Sequence, residues 1–246
     1  MNFFGIIPAR FASSRFPGKP LVEIDGISMI RRVYEQAEKA GCLSKVIVAT
    51  DDERILHHIT SFGGNVIMTS LKHQTGTDRC FEAAQALGIT GKQDVIINIQ
   101  GDEPFIHPLQ IEKIASCFHS ANTEIATLIK KITDYEDLFN PNKPKVIINN
   151  LKEAIYFSRS PLPYLREIEN SEWLQHHEYY KHIGIYAYRM GILEKITRLS
   201  PSSLELAESL EQLRWIENGF KIKTETTDFD SLSIDTPDDL IKLGGK

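Results

Sequence analysis

"FFGIIPARFASSRFPGKP" (residues 3–20) runs from an apolar stretch straight into a loop that holds Arg10, Arg15 and Lys19 among prolines and small residues. The apolar part is nearly continuous rather than alternating, so residues 3–8 read as a strand buried on both faces. The pattern repeats downstream. "SMIRRVYEQAEKA" (28–40) reads as a helix, "VIVAT" (46–50) as a strand, 52–62 as a helix and "NVIMT" (65–69) as a strand. A helix over about 77–87 then precedes the strand "DVIINI" (94–99). This alternation predicts an α/β fold, a mostly parallel, Rossmann-like sheet with helices on both faces.

The middle of the chain changes character. "KVIINNLKEAIYFSR" (145–159) reads as two strands around a turn, and "SPLPYL" after it as a Pro-rich loop. The polar stretch 167–181 reads as a mobile loop or short helix, "HIGIYAY" as a strand, and 203–217 as one helix rich in Glu and Leu. "SLSIDTPDDLIKL" closes the chain as strand, turn and helix. The expected architecture is a single domain, 1–246, with a β-rich lobe inserted at about 130–190.

Composition narrows the class. The chain is 41% hydrophobic and 25% charged, with a formal net charge of −5. An acidic protein that gathers cations in one loop suits a small anionic ligand, not nucleic acid. The three cysteines, Cys42, Cys80 and Cys117, lack C-x-x-C spacing, which fits a reducing compartment. The opening apolar run is too short to span a membrane and lacks a secretory layout, so the expected location is the cytoplasm.

In parallel sheets, ligands sit beyond the carboxyl ends of the strands. Four places therefore matter: the basic loop after the first strand, Asp51 after another, "QGDEP" (100–104) and Asp235. The basic loop contains neither a P-loop nor a dinucleotide fingerprint. Its small residues nonetheless let backbone approach a ligand, and arginine guanidinium groups match phosphate oxygens. A solvated basic loop is the plainer reading of the same residues. Asp102 in "QGDEP" suits Mg²⁺, which takes few protein carboxylates, although Gly-Asp and Pro are also ordinary turn residues. Thr236, Pro237 and Asp239 form a helix start, which leaves Asp235 unexplained unless it reaches the same metal. In "HQTGTDRCFEAA" (73–84), Thr75 or Thr77 caps a helix and Arg79 projects from its first turn. No G-x-S-x-G elbow occurs, which disfavours a covalent hydrolase, and "QGDEP" and "SIDTP" each provide one metal-facing candidate rather than the D-x-D of a glycosyltransferase. An electropositive loop with two strand-end aspartates fits phosphoryl or nucleotidyl transfer.

The series "IIPARFASSRFPGKPL", "HQTGTDR", "NIQGDEP", "FNPNKPKV", "YFSRSPLP", "HIGIYAYR", "LEQLR" and "IDTPDDL" resembles the 3-deoxy-manno-octulosonate cytidylyltransferase family, within the sugar nucleotidyltransferases. The resemblance covers residues 3 to 243. It implies that CTP and the acidic eight-carbon sugar Kdo are joined to CMP-Kdo with release of pyrophosphate, supplying lipopolysaccharide synthesis. The 8-amino analogue of Kdo, or another acidic sugar, is the alternative substrate. By motif, Arg10, Arg15 and Lys19 would hold the triphosphate, with Pro8, Ala9, Gln74, Gly76 and Arg79 around the nucleotide. Asp102 and Asp235 would ligate Mg²⁺. Gln100, Arg159, Arg166, His182, Tyr186, Glu211 and Gln212 would face the sugar. The family resemblance also implies a homodimer joined through the inserted lobe.

Overall fold

The computed structural model describes residues 1–12, 16–230 and 232–244, with side chains as far as Ile241. Strand β1 (Phe3–Ala9) is followed by a small hairpin, β2 (Glu23–Ile24) and β3 (Ile27–Ser28). Next come α1 (Met29–Glu38), β4 (Lys45–Thr50), α2 (Glu53–Ser61), β5 (Val66–Met68), α3 (Gly76–Ala86) and β6 (Val95–Asn98). The middle contains α4 (Pro108–Ser116), β7 (Ile125–Lys131), α5 (Tyr135–Phe139), β8 (Lys145–Ile148), β9 (Ala154–Ser158) and α6 (Trp173–His176). The remainder is β10 (Tyr180–Arg189), α7 (Met190–Ile196), α8 (Ser203–Glu208), α9 (Gln212–Glu217), β11 (Ile222–Thr226) and α10 (Pro237–Gly244).

The central sheet has the order β11-β7-β10-β6-β1-β4-β5. β1 pairs in parallel with β4 and β6, β4 with β5, and β7 with β11, while β10 runs antiparallel between β6 and β7. Ile6 and Ile7 show why the sheet is covered on both sides. Neighbours in one strand face opposite ways, and both are fully buried, Ile7 in one apolar cluster and Ile6 in the other. Each such side chain contributes roughly 1.5–3 kcal/mol by leaving water. No helix among the described residues is long and apolar enough to cross a membrane.

The reversed strand β10 matters most for function. Because it is antiparallel, its first half lies at the carboxyl ends of its neighbours, where Gly184 comes close to Gln100 and Glu103 of the loop after β6. Its register slips between Ile183 and Tyr186, and the Thr127 hydroxyl donates to the Ile185 carbonyl at 2.8 Å inside that break. Between β7 and β10, the segment carries the β8–β9 antiparallel pair and a separate apolar cluster built on Ile132, Leu138, Trp173 and Tyr179.

Three sequence expectations change. Residues 203–217 are not one helix: α8 ends at Ser209, whose φ is 51°, and α9 starts afresh. The Arg159 guanidinium explains the break, since it takes the Glu208 carbonyl at 2.7 Å and the Ser209 carbonyl at 3.3 Å, acceptors that a continuing helix would need. "LSI" before Asp235 forms no strand among its described residues. Instead the Ile234 N–H makes a single backbone bond to the Asp102 carbonyl at 2.9 Å, and its side chain is buried with Ile24 and Met29. β7 and β11 are strands that the sequence reading leaves unmarked.

One glycine is fixed by crowding. A β-carbon on Gly101 would stand 2.8 Å from the Pro8 carbonyl oxygen, which is backbone of the central strand β1. Gly101→Ala is therefore expected to lower stability by about 1–3 kcal/mol, seen as a lower urea midpoint. A midpoint equal to wild type would mean that β1 and the loop after β6 are not locked together here.

Candidate active site

The carboxyl ends of β1 and β6 and the start of α3 enclose a cleft of about 420 Å³. Pro8, Ala9 and Arg10 come from the end of β1, Gln100, Gly101 and Asp102 from the loop after β6, and Thr75, Gly76 and Arg79 from α3 and its cap. Lys19 enters from the loop before β2, and Asp235 from the segment before α10. Gly76 lies close against the Pro8 ring, where an added β-carbon would be 3.2 Å from Cγ. Thr75 is the cap of α3, its hydroxyl accepting from the Asp78 N–H at 3.1 Å, and Thr75 and Gly76 place the start of that helix in the cleft wall.

The two aspartates meet. The Lys19 ammonium donates to Asp102 Oδ2 at 2.7 Å and to Asp235 Oδ1 at 3.2 Å. Their positions are separated by most of the chain, and the Ile234-to-Asp102 backbone bond draws them together. Asp239 holds the turn from the other side, its carboxylate accepting from the N–H groups of Asp235 and Thr236 at 3.0 and 2.9 Å. Two hard carboxylates converging on one cationic point form a donor set that suits Mg²⁺, leaving most coordination positions for phosphate oxygens and water. No cluster of three or more His, Cys, Asp or Glu exists among the described residues that would make a closed metal cage.

Asp235 also borders a second cleft, of about 720 Å³, lined by Arg159, Lys181, His182 and Gly184 and by the turn Asn140–Pro144. Among the described residues, Asp235 alone belongs to both walls, and it stands at their junction. Charges in the second cleft are linked in a chain: Lys143 to Asp137, Lys181 to Asp137 at 2.6 Å and to Asp230 at 2.8 Å, and Lys130 to Asp230 at 2.6 Å. Burial pushes the His182 imidazole down to about 3, so it is neutral at ordinary pH, and its Nε2 lies 3.0 Å from the Thr127 hydroxyl.

Beyond His182 lies a corner of unusual polarity. Among the described residues, the hydroxyls of Tyr186 and Tyr188 and Nε2 of Gln212 are buried without a well-formed hydrogen bond, with Thr127 beside the first and Thr77 and Asn98 beside the second. Glu211 sits beside them, receiving the Thr77 hydroxyl at 3.0 Å. Burial pushes its carboxyl up to about 7, against the pull of that hydrogen bond.

Other expected residues are placed differently. Arg79 lines the first cleft, but its guanidinium is committed: it donates to Asp51 at 2.6 Å and to the Thr69 hydroxyl at 2.6 Å, and is buried. It does not project from the helix as the sequence suggests, because a buried cation needs the Asp51 carboxylate. Arg159 reaches the second cleft with its nitrogens on backbone carbonyls. Gln74 is exposed and outside both linings. Arg166 is also outside them, its side chain 87% exposed and paired with Glu167 at 3.3 Å. Arg15 lies outside the described residues. The sequence reading misses the roles of Thr77, Lys143 and Lys181. Lys181 offers the one usable signal, a charge at the second position of a strand whose later part is apolar.

A sequence model of the cytidylyltransferase family matches residues 4–223. The chain belongs to that family. The 3-deoxy-manno-octulosonate cytidylyltransferase of Parabacteroides distasonis is 57% identical to this cytidylyltransferase, over 98% of the chain and 96% of its own length. Its namesake from Bacteroides thetaiotaomicron is 55% identical over 98% and 96%. A solved structure of CMP:2-keto-3-deoxy-manno-octonic acid synthetase complexed with CTP superposes with a TM-score of 0.91 at 39% identity, covering 100% of this chain and 98% of that one. A cytidylyltransferase from Leptospira borgpetersenii shares the fold, with a TM-score of 0.64 at 17% identity over 99% and 85% of the two chains.

The raised Glu211 carboxyl makes a pH prediction for this cytidylyltransferase. The folded chain keeps that proton up to about 7, whereas the unfolded chain releases it near 4.5. The group's contribution to stability is therefore full below about 4.5 and declines as pH rises towards 7. Glu211→Gln is expected to flatten that part of a urea-midpoint profile. An unchanged slope would count against a buried, protonated Glu211.

Proposed function

We infer that this chain is a 3-deoxy-manno-octulosonate cytidylyltransferase, which joins CTP and Kdo to give CMP-Kdo and pyrophosphate. The observation that carries the reading is the match to relatives of that name, more than half identical along nearly the whole of both chains. The two clefts that share Asp235 support it, because nucleotidyl transfer brings two ligands together at one phosphorus atom. In this reading the first cleft takes CTP and the second takes the sugar.

The parts of the first cleft have distinct tasks. Arg10 would meet phosphate oxygens as a planar donor, and the first turn of α3 would offer N–H groups. Lys19 would turn part of its charge from the aspartates to the triphosphate and assist departure of pyrophosphate. Asp102 and Asp235 would hold Mg²⁺, which when bound supplies charge neutralisation of the triphosphate and a lower pKa for the attacking sugar hydroxyl. In the second cleft, Arg159, held on neutral carbonyls, would provide positive potential for the sugar's carboxylate, and Lys181, paired with Asp137 and Asp230, would brace the wall. Neutral His182 would contribute hydrogen bonding rather than charge, and the unpaired Tyr186 and Gln212 groups would meet sugar hydroxyls. Aligning the sugar's anomeric hydroxyl with the α-phosphorus is then mostly a matter of holding both ligands still.

Pyrophosphate release decides the reading. With Mg²⁺, CTP and Kdo should give stoichiometric pyrophosphate, while the other nucleotides or omission of the sugar should not. A panel that includes 8-amino-Kdo reports the sugar preference, and no release with Kdo would end the proposal. Chelation of divalent cations should abolish turnover reversibly. Asp102→Asn is expected to lower kcat by about a hundredfold or more with thermal unfolding little changed. Near-normal turnover in that folded variant would remove Asp102 from metal binding.

A further inference from the structure

Lys145, in the stretch "FNPNKPKV", belongs to neither cleft lining, yet it is one of the most deeply buried charged residues, with no exposed surface. Its ammonium has three donors and, among the described residues, makes one hydrogen bond, to the Asn140 carbonyl at 2.9 Å. The neighbouring lysines 130, 143 and 181 all pair with Asp137 or Asp230, whereas Lys145 has no such ion pair among the described residues. Burial, with the Arg159 charge nearby, pushes its amine down to about 8, and only Glu208 and Asp137 oppose this. A buried cation with so little compensation is destabilising, because its lost hydration is not replaced. A methionine of similar length would avoid that cost.

What Lys145 holds explains its presence. The turn Asn140–Pro144 is tied at three carbonyls. Lys145 takes the first, Arg159 Nη1 takes that of Pro141 at 2.9 Å, and the His182 N–H takes that of Pro144 at 2.8 Å. The turn is thus the wall from which Arg159 and His182 are set. We propose that Lys145 is a positioning residue for the sugar half of the reaction, fixing the Asn140–Pro144 turn and, through it, the placement of Arg159 and His182. Its functional consequence presupposes that the second cleft takes the acidic sugar.

Loss of the ammonium leaves the Asn140 carbonyl with the Lys143 N–H at 3.1 Å, so no buried acceptor is orphaned. Lys145→Met is therefore expected to unfold at a temperature no lower than wild type, while its KM for Kdo rises about tenfold and its KM for CTP stays within about twofold. Lys145→Gln keeps an N–H for the carbonyl and should recover part of the loss. The assay is pyrophosphate release at varied CTP and varied Kdo, with thermal unfolding of each variant alongside. An unchanged KM for Kdo in a folded variant overturns the proposal. So does failure of both variants to fold, or a parallel rise of both KM values with a lowered unfolding temperature, since each marks Lys145 as general structural support. Wild-type protein that releases no pyrophosphate with Kdo overturns the functional reading and this inference with it, whereas an active wild type with normal variants removes the inference alone.

Discussion

One ammonium group between two carboxylates holds the beginning and the end of this chain together. Lys19 comes from the first loop and Asp235 from the last helix start, with Asp102 between them in sequence. The contact is only partly shielded, the Lys19 side chain being 12% and the aspartates 28% and 34% exposed. Its strength as a surface ion pair is accordingly modest. Its importance is geometric. The β6 loop is fixed by Gly101 against β1, and the terminal segment is fixed by Ile234 in the apolar cluster with Met29. The three charges are carried by neighbours that the core holds in place, so their meeting point is set by the fold.

The rest of the molecule separates structural charge from chemical charge. Arg79 with Asp51, and Arg214 with Glu205 at 2.5 Å, are buried or nearly so and fully engaged. They anchor α3 to the end of β4, and α9 to α8. Arg10, by contrast, is exposed at the mouth of the first cleft. A cation with a full set of partners gains little from a phosphate, whereas an exposed one exchanges water for it at small cost. Affinity for anions is thus concentrated where charge is solvated, not where charge is most abundant.

Continuity of apolar residues made β1, β4 and β6 readable in the sequence, and with them the carboxyl edge where the site had to lie. Asp102 lies at that edge, whereas Asp235 reaches it through the Ile234-to-Asp102 backbone bond rather than at the end of a strand. β11 was harder, because "IKTET" alternates Ile222 and Thr224, buried, with partly exposed Lys223 and Glu225 and has only one large apolar residue. The division between α8 and α9 lay beyond any local reading, since its cause is Arg159, about fifty residues earlier. Arg79 fails the same way: nothing within α3 announces that Asp51 will claim its guanidinium. Sequence periodicity reports burial along one element, and long-range capture of a polar group leaves no trace in it.

The corner formed by Tyr186, Tyr188, Glu211 and Gln212 carries the same logic into the site. Each buried polar atom without a partner costs about 1–3 kcal/mol, and three of the five among the described residues gather here. Trp215 packs edge-on against both tyrosine rings, at 5.0 and 5.5 Å, so the rings cannot turn their hydroxyls to water without disrupting that packing. A core selected for stability alone would use phenylalanine at such positions. In the reading proposed above, a ligand rich in hydroxyl groups would recover that cost, and the corner would then be a source of selectivity. A sugar lacking one of those hydroxyls would leave a phenol or amide buried and unpaired, and would bind more weakly for that reason rather than through any clash.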